Sequence, residues 1–322
     1  MMTRSHDEKI KRTHAEWLDA AGIHDDGLRS AFELCRRLHA HYGRTYYLAT
    51  LFLPQSKRPF VNSLYGFARY ADEIVDNGDP STMADEFTQW CARALADLRR
   101  GHSEDPVCRA LLHTMRVWDI PLEHVEAFLS SMLMDLTITE YRTFEDLREY
   151  MYGSAAVIGL QMVPILEPLD PSAFERAAAL GEAFQLTNFL RDIAEDLRRG
   201  RVYLPMEDLD AFGVTRESMT AGVVDQRFRD LLKFEIDRTR RLYAFARGGI
   251  DLLAPSSRAC IATAFTLYGG ILDEIERADY RILDRRVAVS VAGRLKVAIP
   301  AYRSARRFRR AGIPASAGGE RS

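Results

Sequence analysis

Residues 68–77 read ARYADEIVDN, two aspartates four apart in an otherwise largely apolar run. Stepped at 100° per residue, Tyr65, Arg69, Asp72 and Asp76 fall within about 40° of one line on a helix. Phe67 and Ile74 lie opposite, Leu64, Ala68, Ala71 and Val75 flank the stripe, and Glu73 with Asn77 forms the ordinary solvent edge. Carboxylates at this spacing cost only about 0.2–0.5 kcal/mol in water. Partly buried among apolar neighbours they cost far more unless a cation stands between them. Taken alone, the stretch fits a solvated helix face or a cation site about equally.

A second stretch, FQLTNFLRDIAEDLRRGRVYLP from Phe184, repeats the pattern. Gln185, Asn188, Asp192 and Asp196 share one face within about 80°, with Glu195 at its edge. Leu186, Leu190, Ile193 and Leu197 form the apolar seam, so by itself this is an ordinary amphipathic helix. The pair shifts the weighing. Two facing stripes of this kind enclose oxygen ligands only, which suits a hard cation, Mg²⁺ above all, with Mn²⁺ as the alternative. Mg²⁺ takes one or two carboxylates and fills its shell with water and substrate phosphates. Facing aspartate pairs therefore imply a substrate that carries its own diphosphate. Arginines should share that charge through their planar forks. Arg69 and Arg201 are the better candidates and Arg191 stands beside the second stripe, while Arg198 and Arg199 suit the helix C-terminus.

Outward from these stretches, helical periods dominate and sustained two-residue alternation is almost absent. The chain of 322 residues has 47% hydrophobic content, enough for a large core. Helices are expected over 8–20, 26–52, 57–77, 81–100, 105–117, 121–138, 144–166, 171–199, 225–252, 257–282 and 288–311, with Gly200 closing the long eighth one. Residues 199–214 read as the clearest loop. The expectation is one all-α domain over 26–302, an N-terminal extension over 1–25, and a basic, frayed tail over 303–322.

A net charge of −2 argues against nucleic acid as a partner. Four scattered cysteines with no CxxC fit a reducing cytoplasm and give neither a disulfide framework nor a metal site. The first twenty residues lack the apolar run of a signal peptide, and no run is long enough to span a membrane.

The stretch YMYGSAAVIGLQMVPIL, 150–166, concentrates small residues at 153–156 and at Gly159. Gly inside a helix costs roughly 1 kcal/mol against Ala, so either close packing or room for a long ligand is being favoured. Tyr65, Tyr150, Tyr152 and Tyr268 offer ring faces, each worth about 0.5–2 kcal/mol to a cation, although core packing is the commoner role of any one tyrosine. A dry helical cavity with a metal-bound diphosphate at its mouth suits ionisation of an allylic diphosphate, because excluding water protects the carbocation.

LYGFARYADEIVDN and QLTNFLRDIAEDLRRGRVYLP resemble the two aspartate-rich signatures of the squalene/phytoene synthase family, and the likeness extends to GRTYYLATLFLP (43–54), EYMYGSAAVIGLQMVPIL (149–166) and YGGILDEIERADYRI (268–282). It spans roughly residues 35–290. The resemblance implies an isoprenoid synthase fold around a central cavity and head-to-head joining of two prenyl diphosphates through a cyclopropylcarbinyl diphosphate. It implies Asp72, Asp76, Asn188, Asp192 and Asp196 as the metal set. It implies Thr45, Arg69, Gln185, Asn188, Arg191, Arg201 and Tyr203 at the diphosphates, and Tyr65, Tyr150 and Tyr268 near the reacting carbons. Many relatives carry His where this chain has Tyr42, which leaves the role of Tyr42 open; His41 points elsewhere on a helix.

The texture is most like bacterial phytoene synthases, which use geranylgeranyl diphosphate and need no NADPH. Asn62 and Thr50 stand where farnesyl-using relatives can carry bulky aromatics, leaving room for longer tails. The alternative is the same chemistry on farnesyl diphosphate, giving presqualene diphosphate, dehydrosqualene or squalene. A non-catalytic helical partner that kept the fold is the third reading, but it should have lost aspartates, and all four remain. Lipidic substrate and product imply peripheral contact with the inner face of a membrane and a next-step desaturase as neighbour.

Overall fold

The computed structural model describes residues 13–77, 79 and 81–287. Among them no strand forms; there are only isolated bridges, Glu140 with Val202 and Pro168 with Leu253. The chain runs through α1 (13–20), α2 (Asp26–Tyr42), α3 (Arg44–Thr50), α4 (Arg58–Asn77), α5 (Met83–Arg100), α6 (Pro106–Trp118) and α7 (Leu122–Met134). It continues through α8 (Phe144–Met151), a π turn (Tyr152–Ala156), α9 (Val157–Leu166) and α10 (Ala173–Arg198). Then come α11 (Met206–Phe212), α12 (Arg216–Thr220), α13 (Gln226–Arg247), a 3₁₀ turn (Gly248–Leu252) and α14 (Pro255–Arg277).

Helix starts follow their capping residues. The side chains of Asp25, Asp105 and Asp225 accept from free N–H groups in the first turns of α2, α6 and α13, and Thr143 with Asp146 forms a capping box on α8. Gly200, at φ 80°, follows α10 in the left-handed conformation expected of a stop. Apolar seams bury two adjoining cores. One gathers α2, α4, α5, α6 and α7 around Phe32, Phe67 and Leu111; the other gathers α10, α13 and α14 around Leu190, Leu232 and Ile275.

The structure departs from the expected elements in three places. Residues 26–52 form two helices that meet at Gly43, where a Cβ would fall 2.6 Å from the Tyr65 ring and 2.8 Å from His39. Residues 199–214 are not all loop: α11 sits there, anchored because Arg238 of α13 pairs with Asp208 at 2.6 Å and with Glu235 at 2.9 Å. Residues 144–166 are interrupted by the π turn, a distortion that recurs at functional sites. There Gly153, Gly159 and Gly181 each let one helix touch the backbone of another, so close packing accounts for these small residues. Of the N-terminal stretch, Trp17, Leu18 and Ile23 are buried. The expected helix 288–311 and the basic tail lie outside the described residues.

Opposite ends of α4 differ in character. At its start Lys57, 1% exposed, donates to Glu167 at 2.6 Å and to Ser257 at 3.0 Å, tying the ends of α9 and α14 together. Its other end carries the first acidic stripe.

Candidate active site

On α4, Arg69 is ion-paired with Glu73 and stands 3.9 Å from Asp72, whose side chain is 43% exposed. Glu73 is therefore a partner of the stripe rather than a plain solvent edge. The same guanidinium lies 4.1 Å over the ring of Tyr42, which gives that exposed tyrosine a role as its support. His41 is exposed as well. Asp76 is on α4, but its side chain lies outside the described residues.

On α10, Gln185, Asn188, Asp192 and Asp196 follow one face, each partly buried. The Asn188 Oδ1 is buried without a hydrogen-bond partner, an acceptor aimed at nothing in the protein. Asp192 is held by its neighbour Arg191, whose Nε donates to Oδ1 at 2.9 Å. Arg286 grips it again at 2.9 Å from beyond α14, and lies 4.0 Å from Glu195. Burial, followed by the charges of Asp192 and Glu195, pushes Asp196 up to about 7. Arg199 and Arg201 pull the other way without cancelling that rise.

Between the rows lies a floor of aromatic rings. Tyr46 of α3 stacks on Tyr268 of α14 at 4.4 Å, Phe184 of α10 lies 4.7 Å from Tyr268, and Tyr65 of α4 lies 6.4 Å from Tyr46. Burial raises the Tyr65 hydroxyl, with Tyr268 and Asp72 adding to it; burial likewise raises Tyr268 against the pull of Arg191. Tyr65 thus feels Asp72 and Tyr268, and Tyr268 feels Arg191 and Asp192, so the floor neighbours residues of both stripes. Thr45 is partly buried on α3, at the edge of the same segment.

A third group closes the far side. Asp135, just past α7, accepts from Tyr150 at 2.8 Å and from Tyr203 at 3.1 Å, while its backbone carbonyl accepts from Arg201 at 3.0 Å. Tyr203 stacks on Phe189 at 4.2 Å. Asp196, Arg201, Tyr203 and Phe189 line a small hollow of about 10 Å³, room for about one water molecule. Tyr152, in contrast, is 51% exposed and faces solvent.

Asn62 and Thr50 are both buried, but Thr50 bonds back to the Tyr46 carbonyl at 2.9 Å and Asn62 pairs with His39 at 2.9 Å. At position 62 the space is shared with an imidazole instead of being left open.

Among the described residues no three His, Cys, Asp or Glu side chains gather closely enough to hold a metal unaided. The donors present are oxygens of Asn188, Asp192, Asp196 and Asp72, with the orphaned Asn188 oxygen among them. That set fits a hard divalent ion completed by diphosphate and water.

The profile of one family, squalene/phytoene synthase, matches residues 39–292. The chain belongs to that family. Its sequence is 37% identical over 280 residues to the 15-cis-phytoene synthase of Synechocystis sp., covering 83% of each chain. It is 36% identical over 272 residues to the phytoene synthase of Arthrospira platensis, covering 80% of this chain and 88% of that one. Among solved structures it is similar to a ligand-bound dehydrosqualene synthase, with TM-score 0.78, 26% identity, and coverage of 88% and 98%. The squalene synthase HpnC from Alicyclobacillus acidocaldarius gives TM-score 0.71 at 31% identity, with coverage of 81% and 98%. The all-helical family fold is thus the fold of this chain. No helix among the described residues is long and apolar enough to cross a membrane.

Asp135, Arg286, Tyr46 and Phe184 escaped the reading of the sequence. Asp135 is one acid after an apolar run, and Arg286 lies far along the chain from the carboxylate it grips. Tyr46 and Phe184 do sit inside or beside the two quoted signatures, and only their neighbours drew notice.

Proposed function

We propose that the chain is a phytoene synthase, a head-to-head prenyltransferase that joins two geranylgeranyl diphosphates through prephytoene diphosphate to phytoene. The observation that carries this reading is the aromatic floor reached by both acidic rows, in a chain whose relatives over most of its length are phytoene synthases.

The chemistry divides among the residues. Asp72, Asp76, Asn188, Asp192 and Asp196 would hold Mg²⁺, or Mn²⁺ in its place; the ion supplies charge to stabilise the departing diphosphate. Arg69, Arg191 and Arg201, with Thr45, Gln185 and Tyr203, orient the diphosphate oxygens. Arg191 and Arg286 exchange the Asp192 carboxylate for the incoming anion as the site fills. Tyr65 and Tyr268 turn ring faces to the carbocation, and Tyr150 does so from the Asp135 side. The packed rings exclude water, which keeps the cation from being hydrolysed. No NADPH is required, since phytoene formation involves no net reduction. The catalytic unit is read as 26–302, in the cytoplasm and peripheral at the inner membrane face, passing its product to a desaturase.

The second reading, a farnesyl-diphosphate-using enzyme, is favoured by the dehydrosqualene and squalene synthase structures and by the filled space at Asn62. Incubation of purified protein with each prenyl diphosphate and Mg²⁺, then extraction of hydrocarbon, separates the two. A forty-carbon hydrocarbon with a conjugated triene at its centre, formed from geranylgeranyl diphosphate, is the expected result. A thirty-carbon product alone, with or without NADPH, would overturn the first reading in favour of the second.

A further inference from the structure

One ring beside the floor has no part in the roles above. His39 is on the buried face of α2, 1% exposed, with Nδ1 2.9 Å from Oδ1 of Asn62 on α4. An amide oxygen only accepts, so Nδ1 carries the proton and Nε2 keeps its lone pair. That Nε2 is buried with no hydrogen-bond partner. The imidazole lies flat on Tyr65, ring centroids 4.2 Å apart and planes 15° apart. Tyr47 of α3 meets its edge at 5.4 Å. Gly43 completes the clamp, since any side chain there would displace Tyr65 or His39.

As a core filler this histidine is a poor choice. A leucine or phenylalanine would occupy the space without burying an orphaned nitrogen. A function for the imidazole therefore has to lie in what it does to its neighbour. We propose that His39, bonded through Nδ1 to Asn62, is a positioning residue for the prenyl-transfer reaction: it backs Tyr65 and sets the plane in which that ring faces the carbocation.

The inference rests on the reading of Tyr65 as a ring at the reacting carbons. A ring face attracts a cation, and a positive charge stacked behind it would compete with that attraction. Burial, opposed only in part by the Asn62 hydrogen bond, lowers His39 to about 4. The uncharged imidazole thus persists throughout the neutral range. The titratable side chains facing it are Tyr47 from α3 and Tyr65 from α4.

The test compares kcat and KM for geranylgeranyl diphosphate at saturating Mg²⁺ between pH 6 and 9. The variants are His39→Phe, His39→Leu and Asn62→Asp. His39→Phe keeps a flat ring and should hold kcat within about threefold of wild type, while His39→Leu loses about tenfold in kcat with KM little changed. Asn62→Asp places a carboxylate on Nδ1 and raises the imidazole's proton affinity. Its kcat relative to wild type should fall by about tenfold from pH 8.5 to pH 6.5 as charge appears behind Tyr65. Equal kcat for the Phe and Leu variants, or a pH-independent ratio for a folded Asn62→Asp, overturns the proposal. If Asn62→Asp does not fold, the Phe and Leu pair decides alone. Failure of the underlying reading looks different: wild type would yield no hydrocarbon, or Tyr65→Leu would keep full kcat.

Discussion

Tyr46 and Tyr268 lie face to face, 4.4 Å between ring centroids and 17° between planes, joining α3 to α14. This stack is the middle of the floor on which the rows from α4 and α10 converge. Truncating Tyr46 to Leu removes an aromatic pair worth about 0.5–1.5 kcal/mol. A loss of about tenfold in kcat is expected, with Tyr46→Phe close to wild type. Steady-state turnover of both variants checks this, and unchanged kcat for Tyr46→Leu would deny the stack any part in the reaction.

Removing a carboxylate from either row should abolish turnover without unfolding the protein. Asp72 is nearly half exposed on a helix whose opposite face carries the packing. For Asp72→Ala and for Asp192→Ala, rates should drop by about 10²–10³ or more while the circular dichroism spectrum stays helical. Near-normal rates at saturating Mg²⁺ for either variant would rule out the metal role.

Asp135 satisfies two buried tyrosine hydroxyls at once. Asn in its place keeps one acceptor and turns an NH₂ group toward the other tyrosine. Asp135→Asn should therefore lose about 1–3 kcal/mol of stability and lower kcat as Tyr150 and Tyr203 lose their orientation. Denaturant midpoints and turnover together test this; a variant as stable and active as wild type would show the link to be incidental.

Glu235 supplies a pH dependence remote from the chemistry. Burial raises its carboxyl above the ordinary range, and Asp208 adds to the effect against the pull of Arg238. The folded state thus binds that proton more tightly than the unfolded chain, which gives it up near pH 4.5. The resulting stability is full below that pH and declines as pH rises through the folded value. Melting temperature should fall between pH 5 and 8 in wild type, and fall less in Glu235→Gln. Parallel profiles for the two proteins would contradict this assignment.

Much of this arrangement was legible in the residues. The helix faces of 57–77 and 171–199 follow from apolar spacing, and oxygen-only stripes point to a hard cation whatever the fold. What could not be read depends on contacts between distant parts of the chain. Nothing in the local pattern around Asp135 shows that tyrosines from two other segments will meet it. Gly43 reads as one tolerable glycine in a helix, until the ring of Tyr65 needs its space. Asn62 looked like vacant volume because a small side chain says nothing of the imidazole that comes to fill it. Residues 206–212 looked like loop because α11 is held in place by Arg238, an element away.

The Lys57 tie to Glu167 and Ser257 sits fifteen residues before Asp72, about 22 Å along α4 at helical rise. Three chain segments are riveted at that end, whereas the acidic end is held by arginines that anions can compete for. Any widening that admits a long tail therefore begins at the charged rim, and the bundle behaves as a purse stitched at its base.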